Sequence, residues 1–127
     1  MNTLFQNIIQ EVDKIIKDKC NGCCLSLLDQ HGHQVLFFKL GQPTPCSETF
    51  SYQKAFTSYS FLQNNDEVYS SLISSGTQNL FNKTYCFISG GLAFTNKENQ
   101  NYFLGISTDI PELDKKIALE ISELIKG

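Results

Sequence analysis

The stretch Leu25 to Phe38, LSLLDQHGHQVLFF, constrains the fold more than any other part of the chain. Two apolar runs flank a polar break, Asp29-Gln30-His31-Gly32-His33. Apolar runs of strand length around a short, glycine-containing break read as a β-hairpin. Asp29 suits the turn because an aspartate there accepts hydrogen bonds from nearby amides, and Gly32 suits a positive φ. The break also holds both histidines of the protein. Any metal, haem or acid–base role for histidine therefore falls on a turn. His33 is the weak metal candidate, since neutral imidazole is a common ligand; the competing reading is a solvated turn residue.

The hairpin sits inside a longer pattern. Leu4, Phe5, Ile8, Ile9, Val12, Ile15 and Ile16 recur at helical spacing, which predicts an amphipathic helix over residues 3–19. Asn21-Gly22 ends it, with Gly22 suited to a left-handed cap. Strands are expected over residues 23–28 and 34–40, followed by a loop containing Pro43 and Pro45. A second helix starts near Ser47, with Tyr52, Ala55, Phe56, Tyr59 and Leu62 along one face. Asn64 and Glu67 have capping-box spacing for a short third helix through Ser74. Residues 74–84 read as polar and irregular. Short strands are expected over 86–89 and 92–95, on either side of Gly90-Gly91, and a clearer strand over 102–107. Asp109, Pro111 and Glu112 open a last helix, whose stripe is Leu113, Ile117, Ala118, Ile121, Leu124 and Ile125. The pattern predicts one α+β domain over residues 1–127. Its mainly antiparallel, five-stranded sheet carries the N- and C-terminal helices on one face, with two central helices, in a profilin- or PAS-like shape.

The 127 residues allow one domain with a real core, drawn from 41% apolar residues, including ten phenylalanines. A net charge of −3 argues against a nucleic-acid surface, which is usually basic. No run approaches the ~18 apolar residues of a membrane span. The N-terminal segment lacks the unbroken apolar stretch of a secretory signal. The expected location is therefore cytoplasmic, and the sequon Asn82-Lys83-Thr84 would matter only in a secreted protein. Five cysteines, Cys20, Cys23, Cys24, Cys46 and Cys86, form an odd set that suits no disulfide framework. Cys20-Asn21-Gly22-Cys23 matches C-x-x-C, but at the end of a helix, whereas a redox pair gains its low thiol pKa at a helix start. The cysteines read as small apolar residues. No Ser-His-Asp order, phosphate loop or dinucleotide fingerprint is present, and no catalytic constellation is visible.

Four segments taken in order resemble the GlcG/HbpS family, which includes the C-terminal domain of PduO. Members read Asp-x-x-Gly-His-Leu-Val across the first hairpin, and this chain has Asp29, Gly32, His33, Gln34 and Val35. A helix with Asp-Lys-Ala and a following threonine is matched by Gln53-Lys54-Ala55-Phe56-Thr57. Gly-Gly-x-Pro is matched by Gly90-Gly91-Leu92-Ala93, without the proline. The closing strand and Glu-x-Asp helix are matched by Phe103-Leu104-Gly105-Ile106-Ser107 and Glu112-Leu113-Asp114, with Thr108 and Asp109 where glycines are usual.

The resemblance implies a haem-binding or small-molecule-binding accessory protein, associated with catabolic operons and assembling as a homo-oligomer. Haem is the implied cofactor. In the PduO-type domain its iron is assigned to a histidine of the first helix, and this chain has none there. Lys54 matches the family lysine and can attract a carboxylate, propionate or phosphate as a point charge. Gly90 and Gly91 can let backbone amides approach an anion. Ser107 and Thr108 end a strand beside a helix start, a natural anion site. These five residues form the expected ligand site. A structural pair for Lys54, a tight turn at the glycines and simple capping at Ser107 and Thr108 are the competing readings. Two other functions remain open: a scaffold subunit of a homo-oligomer without ligand, and a haem-degrading enzyme.

Overall fold

The computed structural model describes residues 2–76 and 83–127. The sequon asparagine Asn82 and most of the polar stretch before it lie outside the described residues. The order is α1 (Asn2–Ile16), β1 (Gly22–Leu28), β2 (Gln34–Gly41), α2 (Ser47–Phe61), α3 (Asn65–Ser75), β3 (Gly91–Thr95), β4 (Asn101–Thr108) and α4 (Pro111–Lys126). The strands form one antiparallel sheet in the order β2-β1-β4-β3.

The hairpin turn forms as its residues dictate. Asp29 Oδ1 accepts the amides of His31 at 2.9 Å and His33 at 3.0 Å. Gly32 takes φ +79°, and its missing Cβ would fall 2.7 Å from the ring of Tyr59, so the turn packs directly on α2. Gly22 does not cap α1. The chain turns after Ile16 with Asp18 at φ 62°, and Gly22 opens β1 opposite Gly41. A side chain at Gly22 would strike the Leu40 carbonyl and Pro43.

The sheet is covered on both faces. Successive side chains of a strand point to opposite faces, so β1 and β4 each serve two layers. On one side Cys23, Leu25, Leu27, Tyr102, Leu104 and Ile106 pack against Ile8, Val12 and Ile15 of α1 and Ile117, Ala118, Ile121 and Ile125 of α4. This is the main core, and it matches the stripes read from the sequence. On the other side Leu28 and Phe103 meet Ala55, Phe56 and Tyr59 of α2. There α2 lies almost on the backbone of the sheet. A Cβ at Gly105 would overlap the Ser51 carbonyl oxygen, and one at Gly91 would come 2.5 Å from the Lys54 oxygen. Gly91 and Gly105 are register partners in β3 and β4. The two glycines thus make the seat for α2.

Among the described residues the sheet has four strands, not the expected five. Residues 86–89 are not a strand, because side chains rather than a ladder satisfy their backbone. Thr57 Oγ1 accepts the Cys86 amide at 3.0 Å, and Asn65 Nδ2 donates to the carbonyls of Cys86 and Ile88 at 3.0 and 2.6 Å. Asparagines also take the free edge of β3. Asn65 Oδ1 accepts the Gly91 amide and Asn64 Oδ1 the Ala93 amide, both at 3.0 Å. These two side chains block the edge along which a fifth strand would pair. Asn64 is the residue before α3, as its spacing with Glu67 predicts, but its side-chain oxygen serves β3 instead of the helix start.

Candidate functional site

Helix α2 buries the face that hydropathy would put outside. Ser47, Ser51, Lys54, Ala55, Thr57 and Ser58 are its buried residues, while Tyr52 is 40% and Leu62 71% exposed. The expected apolar face over Tyr52, Ala55, Phe56, Tyr59 and Leu62 is therefore corrected in part: Ala55 is buried and Phe56 and Tyr59 pack against the sheet, but Tyr52 and Leu62 lie outside, and a polar stripe makes most of the contact. The close approach at Gly105 explains this. Only small side chains fit between α2 and the strands, and small hydroxyls can bond to neighbouring backbone. Ser51 Oγ lies 3.1 Å from Ser26 Oγ and donates to the Glu48 carbonyl at 3.0 Å. Thr57 Oγ1 donates to the Gln53 carbonyl at 2.7 Å.

Lys54 is the one large member of that stripe, and it is 1% exposed. Its ammonium donates to the Ile106 carbonyl at 2.8 Å and to Asp114 Oδ2 at 2.7 Å. The other oxygen of Asp114 accepts the Thr108 amide at 3.0 Å and the Thr108 hydroxyl at 2.7 Å. Burial pushes the Asp114 carboxyl above its ordinary pKa, against the opposing pull of Lys54 and of the two Thr108 donors. Both groups are desolvated, so each depends on the other: removing one partner of a buried pair costs about 3–5 kcal/mol.

Above this pair lies a pocket of about 240 Å³. Its walls come from the start of α2 (Ser47, Phe50, Lys54), the end of β4 (Ser107, Thr108), the start of α4 (Pro111, Asp114) and Ile88. Asp109 also lines it, but does not cap α4 as its position predicts; its Oδ1 accepts the amides of Asn21 at 2.9 Å and Gly22 at 3.2 Å, tying β1 to the α4 entrance. Cys46, exposed, precedes α2 at the rim.

The expected site residues divide in position. Lys54, Ser107 and Thr108 come together at the pocket. Gly90 lies behind it at φ +130°; its absent Cβ would sit 3.1 Å from Lys54 Nζ, so glycine keeps room for the ammonium. Gly91 is further back, with its amide held by Asn65. Thr108 and Gly91 thus spend their amides on Asp114 and Asn65, and an anion would have to compete for them. Asp114 is the residue the sequence reading did not place in the site. Its signal was present: it falls on the stripe of Ile117, Ala118, Ile121 and Ile125, where a carboxylate needs a partner.

The hairpin histidines are remote from the pocket lining. The His33 ring is 77% exposed, and its Nδ1 is 3.9 Å from Asp29 Oδ2. No three histidine, cysteine or acidic side chains cluster at metal-binding range among the described residues. The cysteines are free thiols. Burial raises the pKa of Cys20, Cys23 and Cys86 and lifts that of Cys24 to about 11, which makes these four poor thiolates. No helix among the described residues is long and apolar enough to cross a membrane.

No family model and no curated protein matches the sequence. Solved structures do match. ORFY of Klebsiella pneumoniae, a DUF336 protein, superposes with a TM-score of 0.83 at 20% identity, covering 100% of this chain and 90% of that one. A double mutant of HbpS from Streptomyces reticuli gives 0.78 at 19% identity, covering 98% and 86%. A PduOC–haem complex gives 0.78 at 17% identity, covering 96% and 89%. With its hairpin, its α2 seat and its terminal helices arranged as they are, the chain has the GlcG/HbpS-like fold that its motifs resemble.

Proposed function

We propose that this chain is a small-molecule-binding accessory protein whose ligand sits in the pocket over Lys54 and Asp114. The buried pair carries this reading. Replacing a buried ion pair with apolar side chains of similar volume is often neutral or stabilising, so the fold alone gives little reason to keep one. A desolvated charge pair at the floor of a pocket is instead a functional-site signature. Lys54, Ser107 and Thr108 would face the ligand, with Gly90 and Gly91 as the backing that lets Lys54 and α2 lie where they do.

HbpS and the PduOC–haem complex bring a tetrapyrrole into consideration, since the latter holds haem. The residues around Lys54 do not fit one. A dry cavity of about 150 Å³ holds benzene, so about 240 Å³ suits one ring with a substituent, not a four-ring macrocycle. The pocket lining contains no histidine, methionine or tyrosine, and the one residue of an axial-ligand type there is Cys46, at the rim. Haem degradation has no residue here to support it.

Native mass spectrometry of the purified protein tests the reading. A small ligand retained by the native chain and lost from Ile88→Trp, which fills the pocket mouth, would support it. A stoichiometric Soret shift with hemin, unaffected by Ile88→Trp, would move the ligand site elsewhere and restore the tetrapyrrole. A scaffold role in a homo-oligomer is the second reading. It is favoured by β2, an edge strand of eight residues whose Phe37 is 39% exposed, since open apolar edges invite pairing with another chain. A stable oligomer by light scattering with no retained ligand would favour the scaffold; a monomer would remove it. The cytoplasmic location and the link to a catabolic operon belong to the same proposal, and gene neighbourhood tests the latter.

A further inference from the structure

The identity of the ligand follows from the charge around the pocket, granted the binding role proposed above. An ammonium has three donors. Lys54 spends two of them on Ile106 and Asp114, and the third has no acceptor among the described residues. A donor so deeply buried is costly to leave unmet, and Lys54 is part of the pocket wall. An acceptor seated against Lys54 would meet that third hydrogen.

The site does not offer net positive charge. Asp114 neutralises Lys54 at 2.7 Å, and Asp109 adds a second carboxylate to the lining. The starts of α2 and α4 each carry about half a positive charge, which together offset about one carboxylate. The pocket is close to neutral overall. The remaining surface is largely the apolar side chains Phe50, Ile88 and Pro111.

We propose that the pocket selects a neutral oxygen acceptor on a compact apolar body, a carbonyl or hydroxyl compound about one ring in size, and rejects the matching carboxylate. This reverses the expectation that Lys54 serves as an anion anchor. A carboxylate entering the pocket would give up its hydration with no net positive charge to compensate it, and would lie beside Asp114 and Asp109. A neutral carbonyl would accept the third Lys54 hydrogen without that cost.

Benzamide and benzoate make the matched probe pair, since they share the ring and differ in charge. Binding is read by calorimetry and by shifts in the amide resonances of Ile88 and Thr108. Benzamide should bind the native chain at least about ten-fold more tightly than benzoate, a difference of ~1.4 kcal/mol. Asp114→Asn, which unmasks the ammonium, should reverse the order, and Ile88→Trp should abolish binding of both. Equal or tighter binding of benzoate to the native chain overturns the selectivity and leaves the pocket as a binding site. Absence of any shift with either probe overturns the selectivity and the pocket together. If Asp114→Asn fails to fold by circular dichroism, the native-chain ratio and Ile88→Trp decide alone.

Discussion

The two faces of the sheet are built on opposite principles. The face under α1 and α4 is an apolar core in which no side chain needs a specific partner. The face under α2 has only a small apolar cluster and is otherwise held by hydroxyls, an asparagine clamp and one ion pair. Apolar packing is forgiving, because burial is roughly proportional to area and has no direction. A polar interior is unforgiving, because every donor and acceptor must be met. The pocket over Lys54 and Asp114 lies on the unforgiving face, where geometry is fixed most tightly.

The sharpest break of that contrast is Lys54→Met, which strands Asp114. It should cost about 3–5 kcal/mol in chemical denaturation, and Lys54→Met with Asp114→Leu should recover most of the loss. A double variant as unstable as the single would mean that the pair is not the element holding this face.

On the apolar face, Leu104→Ala should cost about 2–5 kcal/mol through lost burial and a cavity. No second substitution other than refilling the volume should rescue it. Rescue by a charge change elsewhere would erase the distinction between the faces.

Gly105→Ala should cost about 1–3 kcal/mol or more by pushing α2 off the sheet. Asn65→Ala should cost about 1–3 kcal/mol by leaving buried backbone groups unmet. The second change should also raise hydrogen exchange at Gly91, whose amide Asn65 holds. Unchanged exchange there would show that residues 85–90 stay in place without the clamp.

The smallest effect compares two carboxylates by pH. Partial burial pushes Asp29 up, but the amides of His33 and His31 and the nearby imidazoles outweigh it, so its pKa lies below 3.8. Its contribution to stability is present above 3.8 and is lost as pH falls through the lower folded value. Asp114, raised by burial, has the opposite sign: its contribution is full below 3.8 and is lost as pH rises through the folded value. Carboxyl-carbon NMR titration should place the two on opposite sides of 3.8. Both on the same side would contradict this reading.

The hairpin was legible because its signals are local. Asp29 and Gly32 act within the turn, and the alternation around them needs no knowledge of the rest of the chain. The same holds for α1 and α4, whose stripes repeat at helical spacing. Residues 86–89 were not legible. Their apolar character suggests a strand, but Asn64, Asn65 and Thr57 take the backbone groups that a strand would need. Lys54 was legible as a candidate, and a structural pair was its competing reading, but the partner was not legible, since 60 residues separate it from Asp114.

The sequence by itself determined the hairpin, the helices, the α+β class and the candidacy of Lys54, Ser107 and Thr108. Periodicity and turn chemistry act over a few residues, and they leave a readable trace. Tertiary structure alone decided the number of strands, the polar face of α2 and the neutral charge of the pocket. Each depends on which distant groups meet in space: Gly91 and Gly105 admitting α2, asparagines closing β3, and Asp114 reaching Lys54. A lysine in a sequence carries a positive charge; whether a ligand would meet that charge depends on the partner the fold brings to it.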